Sequence, residues 1–280
     1  MPKLRFSLGL RIMAIVVAAL VPVLAALAYN EIDARRGREA EVEGYALTLA
    51  RQTALELNRV TSGTKAVLDA ITSAPVVASQ NWRGCEDFLV RVAPKVPQFM
   101  SLAVIGLDGL SKCRQDGLHP DINFSDRPYF KQALADPGVL QVTDYTISRI
   151  DGRATLPIAM AYTDNAGNVA GVAVASLRLE WLAALIHDRQ IAKGGSITVA
   201  DRNGLILARE PFPERFVGTK IPDTFLNLVN APNDGSIELT SQDGTRRYLG
   251  YVPISMAPTG LYVSVGLARD EAFVLIFTQK

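Results

Sequence analysis

The chain has 280 residues, of which 49% are hydrophobic and 20% are charged. This composition supplies enough apolar material for a folded core and excludes an intrinsically disordered chain. The 29 basic and 28 acidic residues give a formal net charge of +1. That balance leaves no basic excess for nucleic acid and no charged tail for a partner protein.

An uncharged apolar run lies near the N-terminus. It covers Ile12–Tyr29, and a helix of this length spans ~27 Å, close to the hydrocarbon thickness of a bilayer. Basic residues precede the run, although arginines also follow it closely. Under the positive-inside rule we expect a cytoplasmic tail at residues 1–11 and a transmembrane helix at residues 12–30.

A cleaved signal peptide is the alternative for this segment. Ala26, Leu27 and Ala28 form the small-x-small pattern that signal peptidase requires, after a basic region. The apolar run is longer than that of a typical signal peptide, and a helical pattern continues directly after it. An uncleaved anchor is therefore favoured, and with either outcome the rest of the chain is exported.

A long helix is predicted at residues 31–75. Apolar or small residues recur there at spacings of three and four, charged residues fill the positions between them, and no proline interrupts before Pro75. A long helix joined to a membrane span is suited to transmitting displacement, and the same pattern also suits a helix packed on a sheet. The recurring positions are Val42, Tyr45, Leu49, Leu55, Val60, Val67, Leu68 and Ile71.

The sequence after Pro75 changes to short strand-like runs separated by glycine-containing turns. Ser101–Cys113 and Ser196–Arg209 each contain a strand, a tight turn that starts at an aspartate, and a second strand. This repeated hairpin indicates two antiparallel-sheet modules, at residues 76–191 and 192–267, after one long helix. The predicted fold class is therefore α+β.

A short apolar stretch, Phe273–Phe277, lies near the C-terminus. Such a stretch is too short to cross a bilayer by itself. We expect it to be the start of a second, truncated transmembrane helix at residues 268–280. The alternative is a last helical turn packed on the domain.

The chain contains two cysteines, Cys85 and Cys113. Two cysteines without CxxC spacing do not make a zinc site. In an exported chain they can form a disulfide, because oxidising compartments preserve disulfides. Two reduced, buried thiols are the alternative.

The layout resembles the double Cache family of extracytoplasmic sensors, which carry two PAS-like sheets on one long N-terminal helix between two membrane spans. The resemblance covers nearly all of the chain beyond residue 31. It implies that the first module is membrane-distal and the second membrane-proximal, and that Cys85 and Cys113 form a disulfide. It is carried by FSDRPYFKQAL at Phe124–Leu134, the following VTDYTISRIDG, Gly171-Val172, and ADRNGLILAREPFPERFVG in the second half.

The segment DRPYF provides a candidate ligand site. Arg127 is a fixed cation that can bind a carboxylate through two parallel hydrogen bonds. Tyr129 and Phe130 can form the pocket wall, with the tyrosine hydroxyl as a polar group. Asp144 and Tyr145 follow at the next strand and can accept hydrogen bonds from an amine or a hydroxyl. The alternative is a local ion pair at Arg127 and core packing for the two aromatic residues.

The resemblance also implies roles for these residues. In amino-acid-sensing members of the family, arginine and tyrosine in this segment hold the ligand carboxylate, and two aspartates on later strands bind its amine. Arg127, Tyr129 and Asp144 match that scheme. Ser176 stands where the second aspartate would fall, and Pro128 where a tryptophan is usual. Because serine is neutral, half of the ammonium-binding pair is missing, which leaves a carboxylate or another small polar ligand open.

Sequence motifs of enzymes are missing from the chain. There is no P-loop, GxSxG elbow or HExxH motif. His119 precedes a proline in a loop and His187 ends a predicted helix. We therefore expect no catalysis, no cofactor and no metal. The alternatives from other classes are a solute-binding protein feeding a transporter, and a structural anchor without an enclosed polar pocket. The charged residues Arg149, Asp151 and Arg153 are expected at a solvated hairpin tip.

The resemblance implies the sensing region of a bacterial receptor in the inner membrane, with the sensing domain in the periplasm. Its output would be a histidine kinase, a diguanylate cyclase or a chemoreceptor domain outside this chain. A homodimer along the long helix is implied as well. A ligand would act by favouring one of two packings of the first sheet against that helix.

Overall fold

A long helix, α1 (Leu8–Thr72), packs against two separate β-sheets. The computed structural model describes residues 8–117, 122–189, 191–257 and 259–271, with side chains described from Leu20 onward. The helix is continuous through Pro22. It ends at Thr72, slightly before the expected end at Pro75, because Ala74 is extended at ψ 128° and helical backbone is disfavoured before a proline.

The remaining elements alternate between short helices and strands. The other helices are α2 (Pro75–Ala78), α3 (Trp82–Val92), α4 (Pro128–Ala135), α5 (Leu179–His187), α6 (Pro213–Phe216) and α7 (Leu226–Val229). Strands of the first sheet are β1 (Phe99–Gly106), β2 (Ser111–Arg114), β3 (Gln141–Val142), β4 (Thr146–Ile147), β5 (Ala154–Thr163) and β6 (Val169–Arg178). Those of the second sheet are β7 (Ser196–Ala200), β8 (Ile206–Glu210), β9 (Gly235–Thr240), β10 (Arg246–Val252) and β11 (Tyr262–Ala268).

Both sheets are antiparallel and share one strand order. The first runs β2-β1-β6-β5-β3, with β4 also paired to β5, and the second runs β8-β7-β11-β10-β9. The two orders match strand for strand, with β2 and β1 corresponding to β8 and β7. The long N-terminal helix and two antiparallel sheets confirm the predicted α+β class.

An aspartate side chain stabilises each hairpin turn, as the third residue of the first turn and as the first residue of the second. The Asp108 Oδ1 accepts a hydrogen bond from the Leu110 amide at 3.1 Å, and the Asp201 Oδ1 accepts one from the Asn203 amide at 2.9 Å. An aspartate that binds its own backbone two residues on stabilises a tight turn. These local contacts explain why both hairpins were predictable from short sequence stretches.

The core lies between α1 and the inner faces of both sheets. Small buried residues on the helix allow the strands to approach it closely. The expected disulfide between Cys85 on α3 and Cys113 on β2 is present, with a Cα–Cα distance of 6.0 Å. The buried face of α1 includes Val42, Ala46, Ala50, Ala54, Leu57, Leu68 and Ile71.

The membrane segments expected at both ends fall partly outside the described side chains. These begin at Leu20 and end at Glu271, so the side chains of residues 12–19 and 272–280 lie outside them. Within the part of the chain that the structure describes, no helix has an apolar stretch long enough to cross a membrane. His119 also lies outside the described residues.

Candidate ligand-binding site

A cavity lies on the face of the first sheet that points away from α1. Side chains along β1 alternate between the two faces, because successive residues of a strand point in opposite directions. Leu102 and Val104 pack in the core shared with α1, whereas Ile105 joins a separate cluster with residues of α4. The cavity is about 50 Å³ and lies between this outer face, α4 and the segment from β4 to β5.

Serines and small residues form the floor of the cavity. Ser101 on β1, Ser176 on β6 and Pro157 on β5 are cross-strand neighbours, and all three line the cavity. Ser176 is thus in the place that the sequence indicated, as a neutral hydroxyl group. Further hydroxyl groups in the lining come from Ser111, Thr146, Ser148 and Thr155.

Arg127 reaches across the cavity from the start of α4. Its Nη2 donates to the Ile147 carbonyl oxygen at 3.1 Å, and its Nη1 lies 3.4 Å from the Thr146 hydroxyl oxygen. Its Nε is buried and has no hydrogen-bond partner among the described residues. No carboxylate within the described ranges forms an ion pair with Arg127.

Two more arginines line the same cavity. The Arg114 side chain is 6% exposed, and its Nε donates to Asp116 at 2.9 Å. Arg149 binds Asp126 through both terminal nitrogens, at 2.8 and 2.6 Å. Arg149 is 37% exposed, as expected for a solvated hairpin tip, and it also lines the cavity. The cavity is therefore electropositive, which favours an anionic ligand.

The two aromatic residues of DRPYF take different positions. Tyr129 is 8% exposed and lines the cavity. Burial raises the pKa of Tyr129 to about 12, against the opposing effect of the Arg127 cation, so the phenol is protonated at neutral pH and can donate a hydrogen bond. Phe130 is 3% exposed and packs in the apolar cluster beneath α4. It supports the cavity without lining it, and Phe124 supplies the second aromatic wall.

Asp144 and Tyr145 lie away from the cavity, at the junction of the two sheets. The Asp144 Oδ1 is 3.1 Å from Arg202 Nε, and the Tyr145 amide donates to the Asp201 Oδ2 at 3.0 Å. Burial raises the pKa of Asp144, while the nearby Arg202 cation opposes that shift. Both residues therefore connect the first sheet to the hairpin turn between β7 and β8.

Sequence reasoning missed Arg114 and Arg149 as cavity residues. Arg114 follows Cys113 at the end of a strand, and an arginine there looks like an ordinary solvent-facing residue. A signal was available for Arg149, because Asp126 within DRPYF offered a partner of opposite charge. The pairing needs tertiary contact across more than twenty residues, and the sequence alone does not reveal that contact.

Side chains that commonly ligate metals are dispersed in the described part of the chain. Within that part, no three histidine, cysteine, aspartate or glutamate side chains cluster as metal ligands. His187 is 72% exposed and lies 3.5 Å from Glu210 at the surface. The cavity thus combines cations and hydroxyl groups suited to holding a small anion.

A family model for the Cache domain matches residues 34–276. The chain belongs to the Cache domain family. Cache domains are the extracellular, ligand-binding sensor domains of membrane receptors for signal transduction. The match begins within α1, before the first buried residue of that helix, and it includes both β-sheets and the cavity. The resemblance carried by FSDRPYFKQAL and the repeated hairpin is thereby confirmed.

Solved structures share this Cache fold. The extracellular domain of rpHK1S-Z16, described as a histidine kinase, is 24% identical with a TM-score of 0.70, covering 84% of this chain and 97% of that one. The ligand-binding domain of the Pseudomonas fluorescens chemoreceptor CtaA, in complex with L-isoleucine, is 18% identical with a TM-score of 0.68, covering 86% and 98%. The ligand-binding domain of Mlp24 with asparagine is 18% identical with a TM-score of 0.65, covering 87% and 98%.

At these identities the similarity shows the fold. Among curated proteins, none matches the sequence.

Proposed function

We propose that this Cache domain is the extracytoplasmic sensing region of a bacterial transmembrane receptor and binds a small carboxylate in the cavity of the first sheet. The observation that carries the proposal is the Arg127 side chain, whose buried Nε lacks a partner among the described residues. A carboxylate bound there would accept hydrogen bonds from this guanidinium and neutralise its charge.

The lining of the cavity supports a carboxylate over a zwitterion. Arg114 and Arg149 add positive charge, although each is held by an aspartate. The Tyr129 phenol and the Ser101 and Ser176 hydroxyl groups add neutral donors. An ammonium group would need a carboxylate acceptor, and the candidate Asp144 is engaged with Arg202 outside the cavity.

The size of the cavity favours a small ligand. Its volume is about 50 Å³, and a cavity of ~10–15 Å³ holds one water molecule. A short organic acid of a few non-hydrogen atoms fits this space better than a large amino acid. CtaA and Mlp24 bind amino acids, which supports a ligand that carries a carboxylate, a group shared by amino-acid-like and organic-acid ligands.

The proposed receptor is anchored in the inner membrane with this domain in the periplasm. The uncharged run Ile12–Tyr29 and the uninterrupted helix from Leu8 to Thr72 support an anchor that continues directly into the sensor. We propose a homodimer along α1, on which Ile32, Tyr45 and Leu55 expose 51%, 40% and 56% of their surface. The output is proposed to be a histidine kinase, a diguanylate cyclase or a chemoreceptor domain.

A thermal-shift screen of the full chain in mild detergent tests this proposal. A ligand that binds only the folded state raises the melting temperature. Short organic acids, amino acids, amines and purines are the compounds to compare. We expect organic acids to stabilise the wild-type chain and to lose that effect in Arg127→Ala. Stabilisation by amines or purines alone would contradict the proposal, as would an organic-acid effect that Arg127→Ala leaves unchanged.

A further inference from the structure

A second cavity lies on the outer face of the second sheet, in the place that corresponds to the first cavity. Thr198 on β7 and Ser264 on β11 are cross-strand neighbours on its floor, as Ser101 on β1 and Ser176 on β6 are in the first sheet. Because the strand orders match, β7 and β11 occupy the positions of β1 and β6.

A buried arginine also occupies corresponding positions in the two sheets. Arg114 on β2 is paired in register with Ala103 on β1, and Arg209 on β8 is paired with Thr198 on β7. Each arginine follows the hairpin turn of its module and lines its cavity. The second cavity thus repeats the cationic wall of the first one.

Arg209 is a buried cation whose hydrogen-bonding capacity is not used up. It is 4% exposed; its Nη1 donates to the Thr198 hydroxyl at 2.7 Å, and its Nη2 lies 3.5 Å from Asp243. Its Nε is buried and has no hydrogen-bond partner among the described residues. A guanidinium with a buried N–H group that donates no hydrogen bond is stabilised when a ligand supplies an acceptor for it.

The charge around this cavity is not balanced. Asp243 is shared between Arg209 and Arg247, and its Oδ1 accepts from Arg247 at 2.6 Å. The Arg247 side chain is 1% exposed, so two buried cations face one buried carboxylate. Buried charge that lacks a counter-charge is costly, so a bound anion would stabilise this cluster.

The remaining walls restrict the size and chemistry of the ligand. The cavity is about 30 Å³, which leaves room for a ligand of only a few non-hydrogen atoms, since one water needs ~10–15 Å³. The walls opposite the arginine and hydroxyl groups are apolar. Ser196, Ser241 and Gln242 add polar groups on the arginine side, so a monoanion with a short apolar part matches both sides. The apolar walls are Ile221, Phe225, Leu228, Leu239 and Leu249.

We propose that the second sheet holds its own binding site for a short-chain monocarboxylate, with Arg209 binding the carboxylate beside the Thr198 and Ser264 hydroxyl groups. The site is separate from that of the first sheet and would give the receptor a second input close to the C-terminal end of the domain. It does not depend on what the first cavity binds.

Saturation-transfer NMR with acetate as the probe tests the second site in the full chain. All measurements use an Arg127→Ala background, which removes the central cation of the first cavity. We expect acetate to bind this chain, and to bind at least about tenfold more weakly when Arg209→Gln is added, because a charge-assisted hydrogen bond is lost. Adding Arg209→Lys, which keeps the charge, should restore part of the affinity.

A second variant keeps the proposal testable if Arg209→Gln fails to fold. Ser264→Val keeps Arg209 but replaces a floor hydroxyl with a larger apolar side chain, so it should also weaken acetate binding at least about tenfold. The matched control is Ser236→Ala on β9, which does not line the cavity and should leave binding unchanged. No acetate binding in the Arg127→Ala chain, or undiminished binding in the Ser264→Val variant, would overturn the proposal.

Discussion

Gly250 on β10 lies directly against the backbone of Ala46 in α1. A Cβ placed on Gly250 would lie 2.3 Å from the Ala46 carbonyl carbon and 2.3 Å from the Leu47 nitrogen. Real Cβ atoms do not approach backbone atoms so closely. The second sheet and the long helix are therefore in van der Waals contact at this point, and a movement of one requires a movement of the other.

Substitution of Gly250 tests this contact. Gly250→Ala should destabilise the fold by about 1–3 kcal/mol, because inserting a methyl group into a packed contact forces backbone shifts. Chemical denaturation measures the change in the free energy of unfolding. Gly44→Ala is the matched control, since no atom lies within 4 Å of a Cβ at that helical position. The control substitution should be neutral or slightly stabilising. An equal loss in the free energy of unfolding in both variants would contradict a close contact at Gly250.

The disulfide between α3 and β2 should contribute substantially to stability. It joins residues separated by 28 positions, and closing a loop of this length is worth ~3 kcal/mol in the chain-entropy model. Replacing both cysteines by alanine should lower the free energy of unfolding by about that amount. A reducing agent should lower the melting temperature of the wild type and leave that of the double variant unchanged. Equal sensitivity of the two proteins to the reducing agent would show that the bridge does not stabilise the fold.

The buried Asp243 carboxylate predicts a pH dependence of stability. Burial alone would raise the pKa of Asp243, but hydrogen bonds from Arg247 and the Thr245 amide, with the Arg209 cation nearby, lower it to about 2. In the unfolded chain an aspartate has a pKa of ~3.9. The folded state therefore gains about 2 kcal/mol from the ionised carboxylate above pH ~4, and this gain is lost as pH falls from ~4 toward 2.

Asp243→Asn separates this effect from the titration of other carboxylates. The variant should be less stable than the wild type at neutral pH, because Arg247 loses its buried counter-charge. The difference in the free energy of unfolding should stay constant down to about pH 4 and narrow by about 2 kcal/mol below it. Denaturation curves at a series of pH values measure this difference. A difference in the free energy of unfolding that stays constant across the whole pH range would contradict the lowered pKa of Asp243.

The position of Asp144 predicts that it does not control ligand affinity. Its side chain pairs with Arg202 at the junction of the sheets. Asp144→Asn should therefore leave the dissociation constant of an organic acid unchanged in isothermal titration. If Asp144 instead bound a ligand amine, the loss of its carboxylate would weaken the binding of an amino acid about tenfold or more. Comparing an organic acid with its 2-amino counterpart distinguishes the two cases.

The features that could be predicted from the sequence are those that depend on contacts between residues close together in the chain. The hairpin turns at Asp108 and Asp201 are closed by bonds within a few residues. The period of apolar residues after Glu31 marked part of the buried face of α1, but Tyr45 and Leu55 in that pattern are exposed. Arg127, Tyr129 and Ser176 line one cavity, and their role in binding a ligand stays a prediction. The long helix and repeated hairpin were enough to indicate the fold.

Features that depend on distant partners were not accessible from the sequence. Asp144 is drawn to the junction by Arg202, which belongs to the other sheet. Arg149 reaches the cavity because Asp126 binds it from the loop before α4. Arg114 is buried beside Asp116, which accepts hydrogen bonds from its Nε and Nη2. In each case the position of a charged side chain is decided by an oppositely charged group that only the folded chain brings near.

The dissociation constant of a stabilising organic acid, measured by isothermal titration for three chains, tests the central claim most directly. The chains are the wild type, Arg127→Ala and Arg153→Ala. Arg153 is the matched control, because it is 54% exposed and pairs with Asp151 away from the cavity. We expect Arg127→Ala to weaken binding about tenfold to a hundredfold and Arg153→Ala to leave it unchanged. Equal affinity of all three chains would contradict a carboxylate site at Arg127.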